Sequence, residues 1–322
     1  MGNVINAATK FWQSEETLKK MTERGLGRKV GQFSAEKLSG GFCSAVYLIH
    51  ADEETVVLKI ASEESVAMMR HECDYVPIEA KLLKILNDKL DIPMPKLLFY
   101  DDSREICQVP YFFMSFLEGQ PLAGMNDIEP KELGGIKKQV GVITRKICSI
   151  PAPRFGIPAM PETYTDKNGD FIYNLFDMLL KDAEDKHMEI PKITSDELRN
   201  KIRDMKAVLD GADAPCYVHT DTWDGNVMVK EGKLSGLVDY AAILYGDPLM
   251  SHDFHDFVPE PRREFLEGYG KTEFTENEKK RIQVYRIWQR LGMVVERGFR
   301  EYEEKDTYGW VLGEFEKELE KI

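Results

Sequence analysis

Val218-His219-Thr220-Asp221-Thr222-Trp223-Asp224-Gly225-Asn226-Val227-Met228-Val229, continued by Lys233-Leu234-Ser235-Gly236-Leu237-Val238-Asp239-Tyr240, sets two acids and an amide among short apolar runs. The runs at 227–229 and 237–238 flank a glycine-containing turn, which predicts a loop leading into a hairpin with polar groups at its ends. Phosphoryl transfer from a nucleotide calls for such a set. One carboxylate stands beside the accepting hydroxyl, and an amide oxygen with a second carboxylate holds magnesium on the phosphates. Asp221, Asn226 and Asp239 can fill those three roles. Any one of them alone reads as part of an ordinary polar turn; the ordered set does not.

The spacing, an Asp, an Asn five positions on and an Asp after a strand, matches the catalytic loop and metal aspartate of kinases. His219-Thr220-Asp221 replaces His-Arg-Asp, and Tyr240-Ala241 follows the second aspartate where Phe-Gly is usual. With Tyr245-Gly246-Asp247-Pro248 and Asp253 beyond, the chain resembles the aminoglycoside phosphotransferase and choline kinase-like superfamily. Trp223-x-Gly225-Asn226 resembles the variant common among its fructosamine kinase-like members. The resemblance implies an α+β, two-lobed, protein-kinase-like fold. Its N-terminal lobe, residues 1–117, is an antiparallel sheet with a packed helix, and the larger, mostly helical lobe, residues 118–322, carries catalysis and substrate binding. It also implies that Asp253 braces the catalytic loop, a role a plain helix cap would explain equally. No Ala-Pro-Glu follows Asp239, so regulation through an activation segment is not expected.

The rest of the chain supplies the remaining parts. Residues 4–24 carry apolar side chains at helical spacing, with Ser14-Glu15-Glu16 as a second start. Short alternating or apolar runs at 33–38, 44–50 and 55–60 predict strands. The turn Leu38-Ser39-Gly40-Gly41-Phe42-Cys43-Ser44 between the first two would let backbone N–H groups and the hydroxyls of Ser39 and Ser44 approach phosphates. Lys59 sits inside a β-branched strand, where an ammonium must either face solvent or meet an anion. In the kinase arrangement it meets the α and β phosphates and a glutamate of the next helix. That helix is predicted over 76–86, with Glu79 as the partner and Glu72 as the alternative. The strand at 111–117 runs into a Gly/Pro connection resembling the interlobe hinge, where the carbonyl of Ser115 and the amide of Leu117 would face the nucleotide base.

Helices are predicted at 128–148, 168–187 and 195–211, a proline-rich loop at 150–165, a helix starting at 251, and a helical end from 265. His252 and His255 lie three apart, but no third metal ligand is near in sequence.

The 322 residues include 43% hydrophobic and 31% charged positions, an ordinary globular balance, and no apolar run long enough for a membrane span. The five cysteines are scattered and odd in number, which fits reduced thiols in a cytoplasm rather than structural zinc. The start lacks the basic and apolar regions of a secretion signal. Net charge is −13, with the second lobe the more acidic, which disfavours nucleic acid and suits a cationic small molecule.

The expected activity is therefore that of a small-molecule kinase transferring the γ-phosphate of ATP or GTP, with Mg2+, to a hydroxyl. An aminoglycoside would suit the acidic lobe, with Asp224, Asp256 or Glu296 contacting its amino groups, and would make the activity one of antibiotic resistance. A macrolide, choline, a fructosamine or another sugar are alternatives, and a catalytically silent nucleotide-binding homologue is the rival from another class.

Overall fold

The computed structural model describes residues 7, 9–38, 41, 43–258, 260–300 and 306–322. Helix α1 (Glu15–Leu26) starts at the second of the two signals in its stretch. Ser14 accepts a hydrogen bond from Thr17 N, and Gly27 at φ 67° ends the helix. Of the helix predicted over 4–24, residues 4–6 and 8 lie outside the described residues, and the described part is helical only from Glu15. The described residues before Ser14 form a turn, with Lys10 N bonded to the Ala7 carbonyl and Trp12 N to that of Lys10.

Strands β1 (Phe33–Lys37), β2 (Ala45–Ala51) and β3 (Glu54–Ile60), helix α2 (Tyr75–Lys89), and strands β4 (Leu97–Asp101) and β5 (Tyr111–Ser115) complete the N-terminal lobe. The five strands form one antiparallel sheet in the order β1-β2-β3-β5-β4. In β2, Tyr47 and Ile49 alternate inward with half-buried neighbours, and they join Leu18 and Met21 of α1 on the outer face. On the inner face Val57, Phe112 and Met114 meet Ile78, Leu82 and Leu86 of α2, and this core continues into the helical lobe.

After β5 the chain passes to β6 (Gln120–Pro121), which pairs with the hairpin at 227–237: Met228 lies opposite Pro121 and Val229 opposite Gln120. Gly119, at φ 124°, permits this crossing, because a Cβ there would lie 2.3 Å from the Val229 carbonyl oxygen.

The C-terminal lobe continues with α3 (Pro130–Cys148), β7 (Phe155–Ile157), β8 (Met160–Thr165), α4 (Asn168–Asp185), α5 (Ser195–Asp204) and α6 (Lys206–Leu209). Then come β9 (Cys216–His219), β10 (Val227–Lys230), β11 (Lys233–Leu237), β12 (Ile243–Gly246), α7 (Arg263–Tyr269), α8 (Glu276–Arg300) and α9 (Asp306–Leu319). The proline-rich stretch contains two strands where a loop was predicted. β8 is an edge strand in the order β8-β7-β12-β9, which tolerates Pro161. Ser251 precedes only a single 3-10 turn, His252–Phe254, where a longer helix was predicted. His252, Asp253, Phe254 and His255 are all buried, and four successive inward side chains fit a tight turn rather than one face of a helix. All five cysteines are free thiols. Among the described residues no helix is long and apolar enough to cross a membrane.

Candidate active site

β9 and β12 pair antiparallel, with His219 opposite Ile243. This fixes the start of the loop at 220–226, and the Thr220 N–H and hydroxyl both donate to the Ala242 carbonyl, at 3.2 and 2.7 Å. His219 is buried, and burial lowers its pKa to about 4 despite the nearby Asp239, so the imidazole is neutral at pH 7. Its Nδ1 accepts the Asp221 N–H at 3.3 Å. A ring with that task braces the loop through its backbone and leaves the Asp221 carboxylate to other partners. Asn226, at the loop's end, donates from Nδ2 to both the Asp221 carbonyl and its Oδ2, each at 2.8 Å. With the amide nitrogen committed, the Asn226 oxygen is the group left for a ligand.

Asp239 follows the hairpin in a left-handed conformation, φ 65° and ψ 64°, which turns the chain back toward the sheet of the other lobe. There Lys59 Nζ lies 2.9 Å from Asp239 Oδ1 and 2.6 Å from Glu79 Oε2. The other Glu79 oxygen accepts the Tyr240 N–H at 3.0 Å. One glutamate of α2 therefore holds both the strand lysine and the backbone after Asp239. Glu72, the alternative partner, instead pairs with Arg300 at the end of α8.

Charge is unevenly shared. Burial works against all three groups, and the two carboxylates still carry the Lys59 pKa above its usual value while Lys59 holds Asp239 below its own. Burial pushes Glu79 up to about 6, with Lys59 opposing. Burial, and then the charge of Asp239, push Asp221 up to about 6 as well. Two carboxylates thus hold one ammonium, and the third, Asp221, lies close enough to Asp239 to feel its charge. An incoming polyphosphate needs further positive charge, and the spare oxygens of Asn226 and Asp239 are hard donors suited to magnesium.

Residues 34–281 match the phosphotransferase enzyme family. The chain belongs to that family. It is a nucleotide-dependent small-molecule kinase, phosphorylating a hydroxyl group. Solved structures share the fold over nearly the whole chain. A provisionally assigned fructosamine-3-kinase of Haemophilus somnus 129PT is 16% identical at a TM-score of 0.68, covering 94% of this chain and 97% of its own. The GDP and kanamycin complex of APH(2″)-IIIa is 14% identical at 0.65, covering 96% and 99%. The streptomycin–ATP complex of APH(2″)-IIa is 15% identical at 0.61, covering 95% and 97%. No curated protein matches by sequence.

The other sequence-derived site residues of this phosphotransferase divide by location. Ser39 and Gly40 lie outside the described residues. Gly41 has φ 65°, and Ser44 is buried where β2 begins. Ser115 N donates to the Lys96 carbonyl and its Oγ accepts the Lys96 N–H, both at 2.9 Å, which pins the end of β5. Leu117 packs over Gly236 of β11, where a Cβ would come within 2.7 Å of its side chain.

Of the acids expected near an acceptor, Glu296 on α8 lies near enough to Asp221 to help raise its pKa. Asp224 and Asp256 have internal partners: Asp224 Oδ1 lies 2.7 Å from Lys137, and Asp256 accepts the Phe257 N–H at 2.7 Å with His252 at 3.5 Å. His252 and His255 are engaged by Gln289, and His255 also by the Met250 carbonyl. Among the described residues no group of three or more His, Cys, Asp or Glu side chains could hold a metal ion alone.

Lys137 of α3 escaped the sequence reading. It is 2% exposed and also reaches Asp253 Oδ1 at 3.3 Å, while Asp253 Oδ2 accepts the Thr222 hydroxyl at 2.7 Å. Asp253 therefore does tie the loop down, through Thr222, and it sits inside a single 3-10 turn capped by Ser251 rather than capping a helix itself. A lysine beside Ile136 and Val140 on the buried face of a predicted helix was the available signal. Asp253→Ala removes one partner of a buried cation, with an expected loss of about 3 kcal/mol in urea unfolding. A roughly tenfold fall in kcat should follow as the loop loosens, since misplacement at this scale costs 10- to 100-fold. Asp253→Asn, which keeps an acceptor for Thr222, should lose less of both.

Proposed function

We propose that this phosphotransferase uses Asp221 to orient the acceptor hydroxyl and take its proton, while Lys59 binds the α and β phosphates of ATP or GTP. The observation carrying this reading is the Lys59 bridge to Glu79 and Asp239, at 2.6 and 2.9 Å, which joins a strand and the helix after it to a loop 180 positions on. Ser39, Gly40, Gly41 and Ser44 would line the phosphates, and the backbone of Ser115 and Leu117 would meet the base, with the boundary between lobes near residue 117. Asn226 and Asp239 would hold magnesium, which supplies the positive charge that lets the phosphates enter an acidic cleft.

The acceptor we infer is a sugar-like hydroxyl compound carrying few amino groups. A polycation needs several carboxylates facing it. Of the three considered, Asp224 and Asp256 are engaged with Lys137 and His252, and Glu296 is not free either. A fructosamine or neutral sugar fits that arrangement better than a heavily aminated aminoglycoside.

ADP or GDP release, coupled to an optical readout, should respond to fructosamines and simple sugars above a panel of aminoglycosides, macrolides and choline. Turnover fastest with aminoglycosides bearing four or more amino groups would overturn the acceptor assignment. Thermal stabilisation by nucleotide without turnover on any acceptor would favour the silent homologue.

A further inference from the structure

Three side chains form a buried junction between the glycine turn, the approach to α2 and the far end of α8. Arg300, the last residue of α8, is 1% exposed, and its guanidinium pairs with Glu72 of the 3-10 turn Arg70–Glu72. The same Nη2 donates to Cys43 Sγ at 3.1 Å, and Nη1 lies 3.7 Å from the Met68 sulfur. Cys43 belongs to the turn between β1 and β2, and its carbonyl accepts from the Ser62 hydroxyl, just past β3, at 2.9 Å. The end of the glycine turn is thus held from both lobes. Glu72 is fixed in its own right: its second oxygen accepts the Met69 N–H at 3.4 Å, and Arg70 nearby pairs with Asp182 of α4. A buried ion pair contributes little net stability compared with apolar side chains of the same volume, and its best-attested use is to fix a register. Here it registers one lobe on the other, at the turn expected to cover the phosphates.

We infer that Arg300 is a positioning residue for nucleotide binding: from the helical lobe it fixes the glycine turn over the phosphates, through Cys43 directly and through Glu72 beside it. The inference rests on reading the cleft as the nucleotide site and the turn as its phosphate cover. Arg300 lies outside the stretch, 34–281, that matches the family, so it adds a residue from the C-terminal end of this chain. The guanidinium touches no nucleotide in this reading; it acts through the backbone it immobilises. Its planar fork presents several donors at once, which is why one side chain can serve a carboxylate and a sulfur together. Loosening the turn is therefore felt by the phosphates and not by the base, which the backbone at Ser115 and Leu117 would hold.

Binding titrations of Mg-ATP, Mg-ADP and adenosine, or of the guanine set if GTP is the donor, test this on the full chain. Arg300→Met combined with Glu72→Gln removes both charges, so neither is left buried alone, and keeps an oxygen for the Met69 N–H. It should bind ATP and ADP about tenfold more weakly and adenosine as the wild type does. Cys43→Ala leaves the ion pair intact and cuts only the link to the turn. It should lose about threefold in ATP affinity, and Cys43→Ser, which keeps an acceptor for Arg300, should restore it. A junction that served only stability would weaken nucleotide and nucleoside alike, or neither. Wild-type ATP affinity in Cys43→Ala, or a parallel loss of adenosine in the double variant, would overturn the assignment. Lys59→Met with Glu79→Gln is the control. If it weakens ATP binding while the Arg300 and Cys43 variants do not, Arg300 alone is misassigned; if none of them does, the nucleotide reading of the cleft fails with it.

Discussion

Asp221→Asn should lower kcat by about 10²- to 10⁴-fold, the usual contribution of a positioned general base, while nucleotide affinity stays within about threefold. The substitution keeps the size of the side chain and an oxygen for the Asn226 bond, but removes the charge that takes the proton. Initial rates of ADP or GDP release, set beside a binding titration, separate the two effects. A variant that loses nucleotide binding as steeply as turnover would move Asp221 from proton transfer to nucleotide binding.

The pH dependence has a definite sign. A base works ionised, so wild-type kcat/KM should rise with pH through about 6, the value to which burial and then Asp239 push Asp221. The Asn variant should lack that limb. Stability runs the other way. The folded pKa of about 6 lies above the ordinary 3.8, so the native state binds the extra proton between them and loses stability as pH rises through that window. Above pH 6 the wild type carries an ionised, partly buried carboxylate that the Asn variant lacks. Discounted for partial exposure, the variant should gain on the order of 1 kcal/mol at pH 7 and nothing near pH 4. Thermal melts at the two pH values measure it.

What could be read along the chain was what depends on local order. Lys59 on a strand and Glu79 on the next helix follow from periodicity and the resemblance, and their contact is between neighbouring elements. The choice between Glu79 and Glu72 was not local, because Glu72 is taken by Arg300, which lies 228 positions away. Asp224 read as a free acid for the same reason: its partner, Lys137, comes from α3 and is hidden among apolar neighbours. The stretch at 150–165 misled differently. Its prolines signal a loop, but only Pro161 falls inside β7 or β8, and β8 is the edge strand of its sheet, where fewer amide donors are needed.

Lys59→Met should be the most damaging single change, because it removes a ligand and an internal counter-ion at once. Stripped of their ammonium, Glu79 and Asp239 face each other in a buried site, and removing one partner of such a network costs about 3–5 kcal/mol. Nucleotide kcat/KM should also fall, by about 100-fold or more, the loss of a charge-assisted phosphate contact worth about 1.5–3 kcal/mol compounded by a disordered Asp239. A pairing that merely stabilised the fold would give the same single-variant result, so a second substitution is needed. Lys59→Met combined with Glu79→Gln leaves one acid in the site and keeps an oxygen for the Tyr240 N–H, which Glu79 now accepts at 3.0 Å. The double variant should recover much of the lost stability in urea unfolding, yet none of the activity. Recovery of activity along with stability would mean that the ammonium only neutralises its two carboxylates, and that the phosphates are bound elsewhere in the cleft.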